Sequence, residues 1–193
     1  MKIEKIEKYK KILAEKLTEN RYNHSLCVAD EAVRYAEKYG ADTEKAYIAG
    51  LLHDITKDSM QFEHFNIFSS HGIALDEISL DSEKLWHAIS GAAYIKYELG
   101  IDDEEIIDAV RYHTTAKKEM PLLTKILYLA DFTSADRNYD DVELLRKLAD
   151  ISLDKAYFYA LSYSIKELVE KEKLIHPDTV AAYNIESLKV RLI

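Results

Sequence analysis

A histidine and an aspartate stand side by side at the end of an apolar run in this chain. The run spans Tyr47 to Leu52, and His53 and Asp54 follow it directly. Apolar runs enter protein cores, and an aspartate is seldom fully buried without a partner. The pair is therefore either exposed beyond a helix end or neutralised in the interior, for which a metal ion is the obvious candidate.

Four more polar residues interrupt apolar faces at helical spacing, where side chains three and four residues apart are neighbours. They are His24, His87, His113 and Asp131. A single histidine on such a face is usually a hydrogen-bonded core residue, and a single aspartate at a helix end is usually a cap. Six such groups on five helices would bury several polar side chains together, and an unpartnered buried carboxylate costs several kcal/mol or takes up a proton. A divalent metal would satisfy all of them.

The types of these six groups indicate which metals and which chemistry fit. Imidazole and carboxylate without thiolate suit iron, manganese or zinc. Six ligands exceed the four of a structural zinc site and suit two ions that share a bridging carboxylate. Two ions about 3.5–4 Å apart clamp both the attacking and the leaving oxygen of a displacement at phosphorus, and they lower the pKa of water from about 15.7 to about 7.

The sequence predicts an all-α fold in one domain. Only 5 glycines and 2 prolines occur in 193 residues, which favours long helices over many short strands. Residues 58–80 are less periodic and predict a short helix plus loop. On the helix of His87, the small residues Ser90 and Gly91 share the face of that histidine, and their size favours close approach of another backbone. The predicted helices are Ile3–Leu17, one from after a break at "TENRYN" (residues 18–23) to Tyr39, Thr43–Asp54, Ser82–Leu99, Asp103–His113 preceded by Asp102, one from Pro121 to Phe132, about Ile151–Lys173, and one capped by Asp178 or Thr179.

Composition limits which classes of partner and which cellular compartment fit this chain. The net charge of −9 argues against broad binding to nucleic acid or to an anionic membrane. Cys27 is the single cysteine, so no disulfide forms within the chain, which suits a reducing compartment. The N-terminal residues carry no apolar signal region, and no apolar run approaches the roughly 18 residues of a membrane span. We therefore expect a cytoplasmic protein with neither a nucleic acid polymer nor a membrane as partner; a homodimer stays open.

Several segments resemble a known family. They are "RYNHSLCVADEAVRYAEKYG", "AGLLHDITKD", "LWHAISGA", "RYHTTA", "KILYLADFTSADRNYDDVELLRKLA" and "IHPDTVAAYN". Together they resemble the YqeK-type branch of the HD-domain superfamily of metal-dependent phosphohydrolases, from residue 21 to about 184. The resemblance implies a single HD-domain helical bundle over residues 1–193, with a metal core at about 21–140 and C-terminal helices at 141–193 that complete a nucleotide site. It implies symmetrical hydrolysis of diadenosine tetraphosphate to two ADP, dependent on iron or a similar divalent metal.

The same resemblance implies roles for the six groups. His24, His53, Asp54 and Asp131 would hold one ion, and Asp54 would bridge to a second ion held with His87 and His113. The residues predicted to take part in catalysis are Asp54, His87, His113 and Arg137.

Three bases near these positions are predicted to bind phosphate, because arginine can hold a phosphate bidentately and lysine can act as a point charge. Arg21 precedes His24 by three residues, Lys57 follows Asp54 by three, and Arg137 follows Asp131 by six. Further predicted substrate contacts are Thr114, Thr115, His176 and Thr179. His64 and His71 match no metal position and are predicted to be surface residues. Phe132 departs from the family, which more often has a basic residue there.

Three alternatives stay open at this point. One is an HD phosphohydrolase that acts on nucleoside mono- or triphosphates, and another is a di-iron oxygenase. The third is a metal-stabilised nucleotide-binding module without turnover. Neither a G-x-S-x-G nucleophile motif nor a Walker phosphate loop occurs in the sequence, so serine hydrolase and P-loop chemistry are not supported.

Overall fold

The computed structural model describes the backbone of residues 3–191 and the side chains of residues 4–189, so the ends of the predicted domain lie outside the described residues. Within that range the chain forms eleven helices and no strand, which confirms the all-α prediction. They are α1 (Ile3–Lys16), α2 (Glu19–Tyr39), α3 (Thr43–Leu52), α4 (Gln61–Ser70), α5 (Glu77–Asp81), α6 (Glu83–Tyr97), α7 (Glu104–Tyr112), α8 (Leu122–Thr133), α9 (Val142–Ile151), α10 (Leu153–Glu170) and α11 (Pro177–Arg191). None of these eleven has both the length and the apolar composition needed to cross a bilayer.

Five helices pack on one another around the main core. α3 lies against α2, α7 and α8, while α7 also contacts α6 and α8. The largest fully buried side chains of this core include Tyr35, Leu51 and Ile126. Tyr35 satisfies its buried hydroxyl with Thr133 Oγ1 at 2.8 Å, which joins α2 to the end of α8. The six predicted metal ligands lie within these five helices or directly after them.

The break between α1 and α2 is shorter than predicted. The sequence "TENRYN" predicts a break over residues 18–23, but α2 already begins at Glu19. Asp58 accepts hydrogen bonds from the backbone nitrogen and the hydroxyl of Thr18, at 2.8 and 2.9 Å. Asp58, which is 40 residues away in the chain, thus provides an acceptor for a backbone N–H at the start of α2 that has no partner within the helix. As a result, Arg21 lies in the first turn of α2, one turn before His24.

Local capping rules predict several other helix ends correctly. Asp42 accepts from the backbone nitrogens of Glu44 and Lys45 at the start of α3, and Gly40 ends α2 with a φ of 76°. The start of α7 is one residue later than predicted, because Asp103 rather than Asp102 accepts from the first-turn nitrogens.

The segment predicted as short helix plus loop forms two helices, α4 and α5, over a small second core of Phe68, Trp86 and Ile89. His64 faces this core, so its prediction as a surface residue is wrong. It is 5% exposed, and its Nδ1 lies 2.8 Å from Ser90 Oγ. His71 is partly exposed and stacks on Tyr97 with ring centroids 4.0 Å apart.

The C-terminal part contains a helix that was not predicted. α9 precedes the predicted long helix, which begins at Leu153 rather than at about Ile151 and ends at Glu170. Ser152 separates α9 from α10, and its side chain accepts from the backbone nitrogen of Lys155. α10 packs on α8, α9 and α11, and α9 also contacts α8.

Candidate metal centre

The six predicted ligands come from five helices that converge on one buried region. His24, His87 and Asp131 lie within α2, α6 and α8, while His113 follows α7 directly. His53 and Asp54 come immediately after α3, in a turn closed by a bond from Lys57 N to Asp54 O at 2.8 Å. The pair thus lies past a helix end and is still buried, at 0 and 2% exposure.

One group of ligand atoms forms where α2, α3 and α8 meet. His24 Nε2 lies 3.0 Å from Asp131 Oδ1, and His53 Nε2 lies 3.9 Å from the same oxygen. Each of the three residues offers an atom within 4.8 Å of the others, which is a spacing that a metal ion can bridge.

A second group forms on the other side of His53. His53, Asp54 and His113 offer atoms within 4.8 Å of one another. His87 Nε2 lies 3.1 Å from Asp54 Oδ1 and also 3.1 Å from His113 Nε2. The two groups are adjacent, and His53 belongs to both by distance.

The histidine hydrogen bonds on the side of the ring away from the cluster show that these residues fit a metal. Nδ1 of His53 and of His113 lie 2.7 Å from the carbonyl oxygens of Gly50 and Val110. A carbonyl only accepts, so Nδ1 carries the proton and the lone pair of the neutral ring lies on Nε2, which faces the cluster. Within the described part of the chain, His53 Nε2 is buried without a hydrogen-bond partner, and Asp54 Oδ1 is buried without a well-aligned hydrogen bond, although His87 Nε2 lies 3.1 Å from it. Buried polar atoms rarely lack partners, and a cation is the partner that suits these two.

The protonation states also suit a metal. Burial alone would raise the pKa of Asp54, but His53 and His113 hold it well below its usual range. Burial would likewise raise the pKa of Asp131, and there His24 and Arg137 lower it. Burial lowers the pKa of His87 to about 3. At neutral pH both carboxylates are therefore ionised and His87 is neutral, which are the forms that bind metal.

The three predicted phosphate-binding bases all lie at this cluster. Arg21 Nη1 donates to Asp54 Oδ2 at 2.8 Å, and Arg137 donates to the Asp131 carboxylate and, through Nε, to the Asp131 carbonyl at 2.6 Å. Lys57 Nζ lies 3.1 Å from His87 Nε2, and burial lowers its pKa despite the nearby carboxylates. All three side chains are about a third exposed, at 30 to 35%, so they can reach a ligand from solvent.

Comparison with known proteins identifies the family. Residues 21–136 match the family model of the HD domain. The chain belongs to the HD-domain family. It is 36% identical over 170 residues to the symmetrical bis(5'-nucleosyl)-tetraphosphatase of Bacillus subtilis (strain 168), covering 88% of this chain and 91% of that protein. It is also 36% identical over 181 residues to the enzyme of the same name from Staphylococcus aureus (strain NCTC 8325 / PS 47), covering 93% of each.

A solved structure shows the same HD fold. It is the crystal structure of a predicted HD superfamily hydrolase involved in NAD metabolism from Clostridium acetobutylicum, 38% identical, with a TM-score of 0.92. The likeness covers 95% of this chain and 97% of that one. The resemblance found in the sequence is therefore confirmed, and the centre contains His and Asp groups that could hold a metal ion.

The threonines predicted to contact substrate lie beside this HD centre in different settings. Thr179 Oγ1 donates to the Thr115 carbonyl at 2.7 Å, and Thr115 Oγ1 donates to the Ala116 carbonyl at 2.9 Å. The first of these bonds ties the start of α11 to the segment after His113. Thr114 Oγ1 is buried and has no partner among the described residues. Substrate contact by the three threonines stays a prediction.

His176 connects two parts of the fold. It is 7% exposed, and its Nε2 lies 3.3 Å from both Asp76 Oδ2 and Ser79 Oγ. Asp178 N donates to its Nδ1 at 3.2 Å. His176 thus joins α5 to the start of α11, and its predicted contact with substrate stays a prediction.

Sequence reasoning missed one residue next to the centre. Asp136 Oδ2 lies 2.7 Å from His24 Nδ1, although the two residues are 112 positions apart. Asp136 follows α8 in an irregular segment, where no periodic pattern marks an acid as inward-facing.

Metal binding at this centre should stabilise the fold. With free Mn²⁺ at 100 times its dissociation constant, one bound ion adds about 2.7 kcal/mol, which raises the melting temperature by about 5–11 °C. Thermal unfolding of chelator-treated protein, with and without Mn²⁺, measures the shift. His53→Ala should lose it, while His71→Ala, outside the centre, should keep it. An unchanged melting temperature in the wild type would contradict metal binding.

Proposed function

We propose that this chain is a metal-dependent hydrolase that cleaves diadenosine tetraphosphate symmetrically to two ADP. The observation that carries the proposal is the convergence of six imidazole and carboxylate groups with three bases at their edge, in a chain that aligns with about nine-tenths of the named tetraphosphatases. A substrate with four phosphates needs several positive groups, and Arg21, Lys57 and Arg137 supply them beside the ligands.

The proposed cofactor is a pair of divalent ions, with iron first and manganese or zinc as alternatives. His24, His53, Asp54 and Asp131 would hold one ion, and Asp54, His87 and His113 the other. When bound, the ions supply an activated water at neutral pH and neutralise phosphate charge. The proposed location is the cytoplasm, in keeping with Cys27 as the single cysteine.

The side chains around the centre would orient the substrate and balance its charge. Arg137 and Arg21 would hold phosphate oxygens, and the Lys57 ammonium would face the oxygen between the two central phosphorus atoms. Water adds to one central phosphorus, the bond from that phosphorus to the bridging oxygen breaks, and ADP leaves with that oxygen. One oxygen from water enters one of the two ADP molecules. ADP is a good leaving group, so no protein nucleophile is needed.

Product analysis in ¹⁸O-labelled water tests the proposal. The expected result is ADP as the sole nucleotide product, with one ¹⁸O atom per two ADP. ATP plus AMP would contradict symmetrical cleavage. Orthophosphate or pyrophosphate from simple nucleotides would favour another phosphohydrolase, and oxygen consumption would favour an oxygenase. Metal-loaded protein without turnover on any nucleotide would be a binding module.

Loss of Arg137 should weaken transition-state binding. Arg137→Ala removes a charged donor at Asp131, and we expect kcat/KM for diadenosine tetraphosphate to fall about 100-fold. Arg137→Lys should recover only part of this loss, because lysine cannot bind bidentately. Arg34→Ala is the matched control, since Arg34 pairs with Glu31 and Asp150 away from the centre. Equal kcat/KM values for Arg137→Ala and Arg34→Ala would show that Arg137 does not take part in binding or cleaving the substrate.

A further inference from the structure

We propose that Asp136 is a positioning residue that orients His24 and thereby sets the metal affinity of the group formed by His24, His53 and Asp131. The proposal rests on the metal centre of the proposed function but not on the identity of the substrate. It assigns a role to a side chain that is five residues beyond the last ligand and lies outside α8.

The contact between Asp136 and His24 differs from the contacts behind the other rings. His53 and His113 donate through Nδ1 to neutral carbonyl oxygens. At His24 the acceptor lies at the same distance, 2.7 Å, but it is a carboxylate, so this hydrogen bond is charge-assisted. A carboxylate at Nδ1 fixes the proton there, directs Nε2 toward the ion and makes Nε2 a stronger electron donor.

The opposite side of the His24 ring already faces the centre. His24 Nε2 lies 3.0 Å from Asp131 Oδ1, and the side chain is only 4% exposed. Each ring nitrogen therefore meets one carboxylate, Asp136 outside and Asp131 inside. A ring held between them has one productive orientation, in which Nε2 is the metal ligand.

Asp136 is held in place by its own loop. Arg146, on α9, donates to the carbonyl oxygens of Thr133, Ser134 and Arg137 at 2.9, 2.7 and 3.2 Å. A turn bond from Arg137 N to Ser134 O at 3.0 Å closes the loop. The loop therefore already holds the Asp136 carboxylate beside His24 before a metal binds, although 34% of the Asp136 side chain is exposed.

Metal affinity, measured by calorimetric titration of chelator-treated protein with Mn²⁺, tests the proposal. We expect Asp136→Ala to weaken binding of one ion about 10–100-fold, as for other residues behind metal-bound histidines. Asp136→Asn should lose less than about tenfold, because its amide oxygen still accepts the Nδ1 proton. Asp140→Ala, at an exposed acid of the same loop, should bind as the wild type does. Wild-type affinity in Asp136→Ala, or an equal loss in Asp140→Ala, would overturn the proposal.

Nitrogen NMR of the histidine rings separates positioning from simple stabilisation. The metal-free wild type and Asp136→Asn should show a His24 Nδ1 proton that exchanges slowly with solvent, because residue 136 accepts its hydrogen bond, and folded Asp136→Ala should show faster exchange. A His24 Nδ1 proton that exchanges equally slowly in folded Asp136→Ala contradicts the proposal. If Asp136→Ala does not fold, loss of the slowly exchanging Nδ1 proton in Asp136→Asn contradicts it. Both readouts are independent of hydrolysis, so failure of the proposed substrate would leave them unchanged.

Discussion

Asp54→Asn should reduce hydrolysis of diadenosine tetraphosphate by about 1000-fold or more. Loss of a single neutral transition-state donor already costs about 100–1000-fold in other enzymes, and Asp54 is proposed to bridge both ions. Its Oδ1 is buried and lies 3.1 Å from His87 Nε2, and its Oδ2 accepts a hydrogen bond from Arg21. An amide of the same shape carries no charge, so it cannot neutralise two cations. The measurement is kcat/KM together with the metal content of the purified variant.

The control for this prediction is Asp30→Asn. Asp30 lies on α2 like His24, but its side chain is exposed. Both variants should show wild-type helical circular dichroism, and Asp30→Asn should keep full activity and metal content. An Asp54→Asn variant within tenfold of the wild-type kcat/KM would show that this carboxylate does not hold the reacting centre together.

Gly50→Ala should destabilise the protein by about 3 kcal/mol or more, the upper end of the usual cost of overpacking. A methyl group on Gly50 would lie 2.6 Å from Ala29 Cα and 2.9 Å from Ala29 N. Both are backbone atoms of α2, so the two helices would have to separate. At about 2–4 °C per kcal/mol, the melting temperature should fall by about 6–12 °C. Thermal unfolding of metal-free protein measures this change.

Gly91→Ala is the matched control on α6. There a methyl group would meet Thr56 Oγ1 at 3.4 Å and Val110 Cγ1 at 3.6 Å, which is ordinary contact. Alanine is also better than glycine inside a helix by about 1 kcal/mol, so Gly91→Ala should keep the wild-type stability or gain up to about 1 kcal/mol. The sequence predicts a close backbone approach near Gly91, but the closest approach is at Gly50. Equal melting temperatures of the two variants would contradict this packing.

The sequence predicts the metal ligands because their signal is local. Each ligand replaces a hydrophobic residue at a helical spacing, and the apolar residues of the same turns fix which way it faces. Helix ends at Gly40 and Asp42 are predictable for a similar reason, since a cap acts within a few residues. For these parts of the fold, composition and spacing carry enough information.

What the sequence does not predict depends on distant contacts. α2 begins directly after Thr18 because Asp58, 40 residues away, accepts a hydrogen bond from the Thr18 backbone nitrogen. His64 is buried because Ser90 on α6 satisfies its ring. Asp136 reaches His24 because the loop after α8 is held by Arg146. None of these partners is visible from periodicity, so the surface prediction for His64 is wrong and Asp136 is missed.

Anomalous diffraction tests the central claim most directly. Crystals of protein purified without added metal or chelator would be measured at the iron, manganese and zinc absorption edges. We expect two peaks about 3.5–4 Å apart, one beside His24, His53 and Asp131 and one beside Asp54, His87 and His113. Each should lie about 2.0–2.2 Å from the Nε2 atoms of its histidines, the usual bonding distance for such metals. The claim would be contradicted if no peak appeared even after soaking with each metal, and if the six side chains in those crystals pointed away from one another.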